Sequence, residues 1–283
     1  MTQDTTSLRG KNVFITGANT SIGRVTAREL ARRGAHLFVA GKSQDRTQAL
    51  IDEVRSMEGA GPIEWLALDL ADLASVRSCA AEFLARKLPL HILINNAGLA
   101  GTRGLTKDCF ELAFGVNHLG HFLLTELLLQ RIKESAPARI VTVSSRAHTR
   151  CKEIAWHGLR QRTATFTAID EYAQSKLANL LFSAELSRRL QGTGVTTYSL
   201  HPGVVATEVW RHLPWFLRPF LKFAGMITAE EGAQTTLHCA TSPALAHETG
   251  LYYDRCKPRT PSALGQSAPL AKQLWDKSEA LVK

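Results

Sequence analysis

Apolar residues recur along this chain in two alternating rhythms. Residues 11–16 (KNVFIT) form a short continuous apolar run, and residues 21–33 follow with helical spacing at Ile22, Val25, Ala27, Leu30 and Ala31. A second run at 36–40 comes after Gly34. The alternation continues with a helix near 46–58, a strand at 64–68, a helix near 72–86 and a strand at 91–95. A long apolar helix is predicted over 110–134, then a strand at 139–144, a helix at 170–191 and a strand at 195–200. Strands that alternate with full-length helices build βαβ units and a parallel sheet. The strands are continuously apolar, which fits a doubly wound α/β sheet with helices on both faces. No Pro-, Gly- or Ser-rich linker and no internal repeat interrupts residues 1–283, so one domain is expected.

Two stretches break the rhythm. Residues 146–169 are polar, basic and longer than a usual connection, and such loops are often functional. Residues 208–227 (EVWRHLPWFLRPFLKFAGMI) are rich in Trp, Phe and Leu, with Arg211, Arg218 and Lys222 interspersed.

The first strand meets the first helix through Thr16-Gly17-Ala18-Asn19-Thr20-Ser21-Ile22-Gly23. A helix N-terminus offers unpaired N–H groups and a positive dipole end to a pyrophosphate, and glycines let backbone approach it closely. An ordinary βα turn would look similar, but the place between strand and helix raises the phosphate reading. After the second strand a site for NAD places an acid against the ribose 2′-hydroxyl. Here Gly41 stands at that point, followed by Lys42, while Arg24 directly follows the turn. Either cation alone reads as a solvated charge; together, with the acid missing, they favour a 2′-phosphate and hence NADP. Asp45 lies close enough to oppose that reading.

Tyr172 and Lys176 stand four residues apart, so a helix puts both on one face. An ammonium near a phenol favours tyrosinate, which makes the pair a candidate proton donor and acceptor. Ser145 ends a strand upstream, where its hydroxyl could bond a carbonyl oxygen, and Asn117 lies further upstream. Its neighbour Ser144 is expected to be structural, because side chains alternate along a strand.

Bulk numbers exclude more than they assign. At 45% apolar residues the chain has ample material for a core, and 34 Lys+Arg against 25 Asp+Glu give a formal +9. The basic residues are scattered rather than blocked, which argues against nucleic acid. The N-terminus shows no basic-then-apolar signal pattern and no run of eighteen apolar residues occurs, so a soluble or at most surface-associated protein is expected. Five cysteines without C-x-x-C pairing read as reduced thiols in the cytoplasm, with no metal site.

Taken in order, these motifs resemble the short-chain dehydrogenase/reductase family and its Rossmann-type fold over about residues 8–255. The turn at 16–23 is similar to that family's T-G-x-x-x-G-x-G, with Ser21 in place of the middle glycine. Asn95-Asn96-Ala97-Gly98 resembles its N-N-A-G, and His201-Pro202-Gly203 its P-G after the sixth strand. The wording of the turn, of 172–182, of HPGVV and of EGAQT resembles the retinol-dehydrogenase-like branch, as does the 27-residue step from Ser145 to Tyr172. That branch's membrane-anchored members carry an N-terminal apolar segment that this sequence does not show, so a retinoid substrate does not transfer directly.

The resemblance implies a hydride transfer between NADP(H) and an alcohol or carbonyl group. Tyr172 would move the proton, Lys176 would lower its pKa and hold the ribose, Ser145 would polarise the carbonyl, and Asn117 would hold a water in a relay to Lys176. Gly17, Asn19, Thr20, Ser21, Ile22, Gly23, Arg24, Lys42, Asp69, Asn96, Gly98, Pro202, Gly203 and Val205 would line the cofactor together with Tyr172 and Lys176. Asp69 would contact adenine or instead cap the next helix. The Ser21 hydroxyl would cap the first helix or bond a phosphate oxygen.

By position, 208–227 would cover the substrate, and Trp210, Trp215, Phe216 and Phe220 suggest a lipophilic alcohol, aldehyde or ketone. Ordinary packing of a helix pair, or a basic-aromatic surface resting on membrane, would use the same residues. The long helices at 110–134 and 170–191 could pair two subunits, and a monomer is equally allowed. A non-catalytic NADP-binding sensor that keeps the fold is the competing class. A sugar-nucleotide epimerase or dehydratase fits less well, lacking a G-x-x-G-x-x-G turn here.

Overall fold

The eight strands lie in the order β3-β2-β1-β4-β5-β6-β7-β8, as seen in a computed structural model that describes residues 7–203 and 227–283. Seven strands run parallel: β1 (Asn12–Thr16), β2 (His36–Gly41), β3 (Ile63–Ala67), β4 (Ile92–Asn95), β5 (Ala138–Val143), β6 (Val195–His201) and β7 (Leu251–Asp254). The two-residue β8 (Lys257–Pro258) returns antiparallel to β7. Strand order reverses between β1 and β4, and a crevice at such a switch point is where open α/β sheets bind ligands. The Thr16–Gly23 turn and Asn95–Gly98 both stand there.

Helices cover both faces, as the continuous apolar strands require. One face carries α1 (Ser21–Arg32), α2 (Gln44–Ser56) and α7 (Ala229–Thr241) over a core built on Val13, Ile15, Leu37, Val39 and Tyr198. The other carries α3 (Leu73–Ala85), α5 (Gly120–Glu134), α6 (Ile169–Arg189) and α8 (Ala268–Val282). There Phe83 meets Phe14 and Phe38 edge-on at 5.6 and 4.9 Å, the geometry that ring quadrupoles favour.

Local signals set the helix ends. Ser43 caps α2 by accepting from the Arg46 N–H, and α7 starts in a capping box in which Thr228 and Glu231 bond each other's backbone N–H. Asp72 caps α3 through the N–H groups of Ala74 and Ser75. That corrects the capping role offered to Asp69, which lies one turn too early and accepts from Ala71 N–H instead.

The long apolar helix is one rod over Leu112–Glu134 but not one geometry. A three-residue α4 (Leu112–Phe114) passes into a π-turn at Gly115–Leu119 before α5 begins. It is long and apolar enough to cross a membrane, yet most of it is buried in the core. Across its outer side and that of α6 lies α8, whose Trp275 stacks on Phe182 at 5.8 Å and meets Phe122 edge-on at 5.0 Å. Arg189 sits 4.3 Å over the same indole. α8 thus packs against both α5 and α6 through the Trp275 indole.

Candidate active site

The phosphate turn is built around backbone contact. Gly17 has φ +67°, and a Cβ on it would lie 2.8 Å from Ala97 Cα. A Cβ on Gly23 would lie 2.2 Å from the Gly17 carbonyl oxygen, so the helix start packs directly on its own turn. Thr20 precedes α1 in extended conformation, and its side chain makes no capping bond. The first N–H groups of a twelve-residue helix are thus left for an anion, which fits the pyrophosphate of a dinucleotide. Asn19 is half-buried and Thr20 exposed at the mouth of this turn, with Ile22 half-buried beside them.

Ser21 departs from the capping role expected of its hydroxyl. It takes φ +46°, the left-handed region that a glycine occupies without cost, and its buried Oγ has no partner among the described residues. Replacing it by glycine is expected to raise folding stability by about 1 kcal/mol, because a left-handed L-residue costs roughly that much. Urea unfolding of Ser21→Gly checks this. A cofactor affinity gained by more than about tenfold, or ~1.4 kcal/mol, would add that the serine handicaps binding as well.

At the switch point the side chains tie the two strand ends together. Asn96 Nδ2 donates to the carbonyls of Thr16 and Gly17 at 2.8 and 3.1 Å. Thr16 Oγ1 accepts from the N–H groups of Asn96 and Ala97 and spends its own proton on His121 Nε2, 2.8 Å away. His121 Nδ1 lies 3.0 Å from the Asn117 carbonyl, which can only accept, so Nδ1 carries the hydrogen. Burial keeps this imidazole neutral by pulling its pKa down to about 4. His121 sits four residues after Asn117 on the same helix face, a spacing that could have flagged it in the sequence.

Asn117 is fully buried in the π-turn and turns its amide inward. Oδ1 accepts from Leu99 N–H at 2.9 Å, while Nδ2 donates to Leu99 O at 3.0 Å and to Ser175 Oγ at 2.9 Å. The side-chain amide thus holds the backbone beside Gly98 in place, while the Asn117 carbonyl, bonded by His121, keeps a second lone pair for another donor. Gly98 is exposed, and a Cβ there would lie 3.3 Å from both Asn117 Oδ1 and Lys176 Nζ.

Tyr172 and Lys176 share one face of α6, with the ammonium 5.7 Å from the phenol ring centre. Lys176 is buried and donates to Val143 O at 2.9 Å. Desolvation alone pulls its pKa down to about 8. Ser144, as alternation predicted, is structural: its Oγ donates to Lys176 O at 2.6 Å. Ser145, two residues past β5, is extended and accepts from Ala147 N–H, and its hydroxyl works to lower the Tyr172 pKa. The tyrosine itself differs from expectation. Burial raises its pKa, and the Ser145 hydroxyl offsets part of the rise. The ammonium lies over the ring and gives its hydrogen bond to a carbonyl, so its charge is not focused on the oxygen.

The two cations read for a 2′-phosphate are both partnered. Arg24 Nη2 lies 2.7 Å from Glu53 Oε2, and its hydrogen bond holds Glu53 below the usual carboxylate range. Lys42 lies 2.9 Å from Asp69 Oδ2. That pair is largely exposed on the lysine side, so it costs little to exchange. Pro202 and Gly203 close β6, Gly203 with φ +98°. Val205, and the aromatic segment 208–227 up to residue 226, lie outside the described residues.

This order of strands, turn and side chains is matched by known proteins. The short chain dehydrogenase family model matches residues 11–215. The chain belongs to that family. It is 45% identical over 281 residues to human retinol dehydrogenase 11, covering 97% of this chain and 86% of the relative. Human retinol dehydrogenase 12 is 48% identical over 278 residues, covering 96% and 86%. These place the chain in the retinol-dehydrogenase-like branch. Among solved structures, an uncharacterized protein from Mycobacterium Paratuberculosis superposes with TM-score 0.80 at 37% identity, covering 99% of this chain and 96% of that one. A Beutenbergia cavernae protein, described as an NAD(P) dependent gluconate 5-dehydrogenase with NADP bound at low occupancy, superposes at 0.70 with 26% identity, covering 88% and 96%. A nicotinamide dinucleotide is therefore the cofactor, and hydride transfer at an alcohol or carbonyl carbon is the reaction.

Proposed function

We propose that this oxidoreductase uses NADP(H) and interconverts lipophilic alcohols with their aldehydes or ketones. The observation that carries the reaction is the set of Ser145 hydroxyl, Tyr172 phenol and Lys176 ammonium at the strand ends beside the exposed Gly98. The nicotinamide supplies or accepts the hydride when bound. Everything else belongs to the protein. Ser145 donates toward a carbonyl oxygen, Tyr172 gives or takes the proton at that oxygen, and Lys176 keeps positive charge beside it. Residues 17–23 would hold the pyrophosphate, and Gly98 leaves backbone room beside Lys176.

NADP is supported by the missing acid at Gly41, by Lys42 and Arg24 beside it, and by the NADP in one structural relative. A lipophilic substrate is supported by the names of the retinol dehydrogenases and by two exposed apolar side chains, Phe166 and Leu105, on the loops before Tyr172 and after Gly98. The expected result is turnover of NADPH with aldehydes, ketones or retinoids, at a kcat/KM well above that with NADH. Lys42→Asp should cost NADPH efficiency about 10- to 100-fold, the worth of a charge-assisted bond. Equal efficiencies with NADH and NADPH would end the NADP reading and leave the hydride transfer standing. The strained Ser21 is what favours the sensor reading; binding without turnover across the panel would establish it.

A further inference from the structure

The serine of the site does not stand on β5 alone. Ser145 opens a 3-10 turn, Arg146–Arg150, and two side chains of that turn are fastened to the end of β7 and to the segment that follows it. Arg146 reaches Asp254 Oδ2 with both Nε and Nη2 at 2.8 Å. His148 donates from Nδ1 to Ser145 O at 2.7 Å and accepts the Ser262 N–H on Nε2 at 3.3 Å. Its ring also meets Tyr252 edge-on at 5.1 Å.

The Arg146 contact is asymmetric. Asp254 is only 6% exposed, while more than half of the Arg146 side chain faces solvent. In register, Asp254 stands opposite His201 on β6, itself 4% exposed, and neither ring nitrogen of His201 bonds a group among the described residues. Asp254 Oδ1 is likewise unbonded. Among the described residues the carboxylate therefore gives all its hydrogen bonding to one guanidinium. A buried charge held by a single partner is costly unless that partner stays in place, so the pair fixes where residue 146 sits. Residue 145 is its immediate neighbour.

Resting on the function proposed above, we propose that Asp254 is a positioning residue: through Arg146 it sets the Ser145 hydroxyl against Tyr172. Its effect reaches the chemistry through one peptide unit, by holding the turn whose first residue supplies the hydroxyl. Small displacements suffice, since about 1 Å of misplacement can cost on the order of 100-fold in rate.

The test is Asp254→Asn, which keeps the volume and leaves no buried charge behind. The expected result is a kcat lowered by about 10- to 100-fold with NADPH affinity, read by fluorescence titration, unchanged within about twofold, or ~0.4 kcal/mol. Arg146→Lys keeps a cation for the carboxylate and should fall between Asp254→Asn and wild type. Hydrogen exchange supplies a readout independent of turnover: amides of residues 145–151 should exchange faster in Asp254→Asn while those of α6 do not. A kcat within threefold of wild type with unchanged exchange would overturn the proposal. So would a loss of kcat and cofactor affinity together with faster exchange across the whole chain. A wild type without turnover would defeat the functional reading, and exchange at 145–151 would still decide the positioning role.

Discussion

Tyr172→Phe is expected to lower turnover by about 100- to 10,000-fold, the usual worth of a positioned acid–base group, with the fold intact. The phenol is the group at this site that pairs with the Ser145 hydroxyl and can hand a proton to a substrate oxygen. Phenylalanine keeps the ring that packs beneath Lys176 and removes only the oxygen. Burial has already raised the tyrosine pKa, so the phenol stays protonated at pH 7 and the resting protein is poised to donate. Lys176, with its pKa near 8, is still about tenfold more charged than neutral at that pH. Carbonyl reduction should therefore proceed well at pH 7, and alcohol oxidation should gain as pH rises toward ionisation of Tyr172. Steady-state assays in both directions check this. A Tyr172→Phe variant within about tenfold of wild type, that is ~1.4 kcal/mol, would mean that the proton moves through another group.

Motif order carried the fold and the residue types of the site into view, because both depend on local rules. The period of apolar residues placed β1, α1 and α6 within a residue or two, and the i, i+4 spacing put Tyr172 and Lys176 on one face. What stayed hidden depends on contacts far apart in sequence. Nothing local says that Asn117 sits in a π-turn, that its amide is used up on Leu99 and Ser175, or that His121 reaches back to Thr16. The surroundings of the Tyr172 phenol stayed hidden for the same reason. Spacing gives proximity to Lys176, while burial and the aim of the ammonium at Val143 O decide the sign. Likewise Lys42 and Arg24 look free in sequence and find Asp69 and Glu53 in space. Asp254, more than 100 positions from Arg146, had no signal in the sequence at all.

Lys176→Met is the second large effect, and it has opposite signs for activity and stability. Methionine fills the same space without charge, so turnover and cofactor binding should both collapse. Stability at pH 7 should nonetheless rise. A lysine whose pKa falls from 10.5 to about 8 on folding is penalised in the native state at every pH where it is charged. At about 1.4 kcal/mol per unit, that penalty is roughly 3 kcal/mol. Loss of the hydrogen bond to Val143 O returns part of it, about 1–2 kcal/mol, and Asn179 still donates to that carbonyl at 3.1 Å. A net gain of about 1–2 kcal/mol is the outcome. The sign with pH follows from proton counts. Between the folded pKa near 8 and the unfolded value near 10.5 the unfolded chain binds the extra proton, so wild-type stability rises through that window. The advantage of Lys176→Met should be fully present below pH 8 and fade by pH 10.5. Urea unfolding of both proteins at pH 7 and pH 10 reads the difference directly, since other titrating groups cancel between them. A variant less stable than wild type at pH 7 would show that the ammonium is held by more than Val143 O, and that burial is not what sets its pKa.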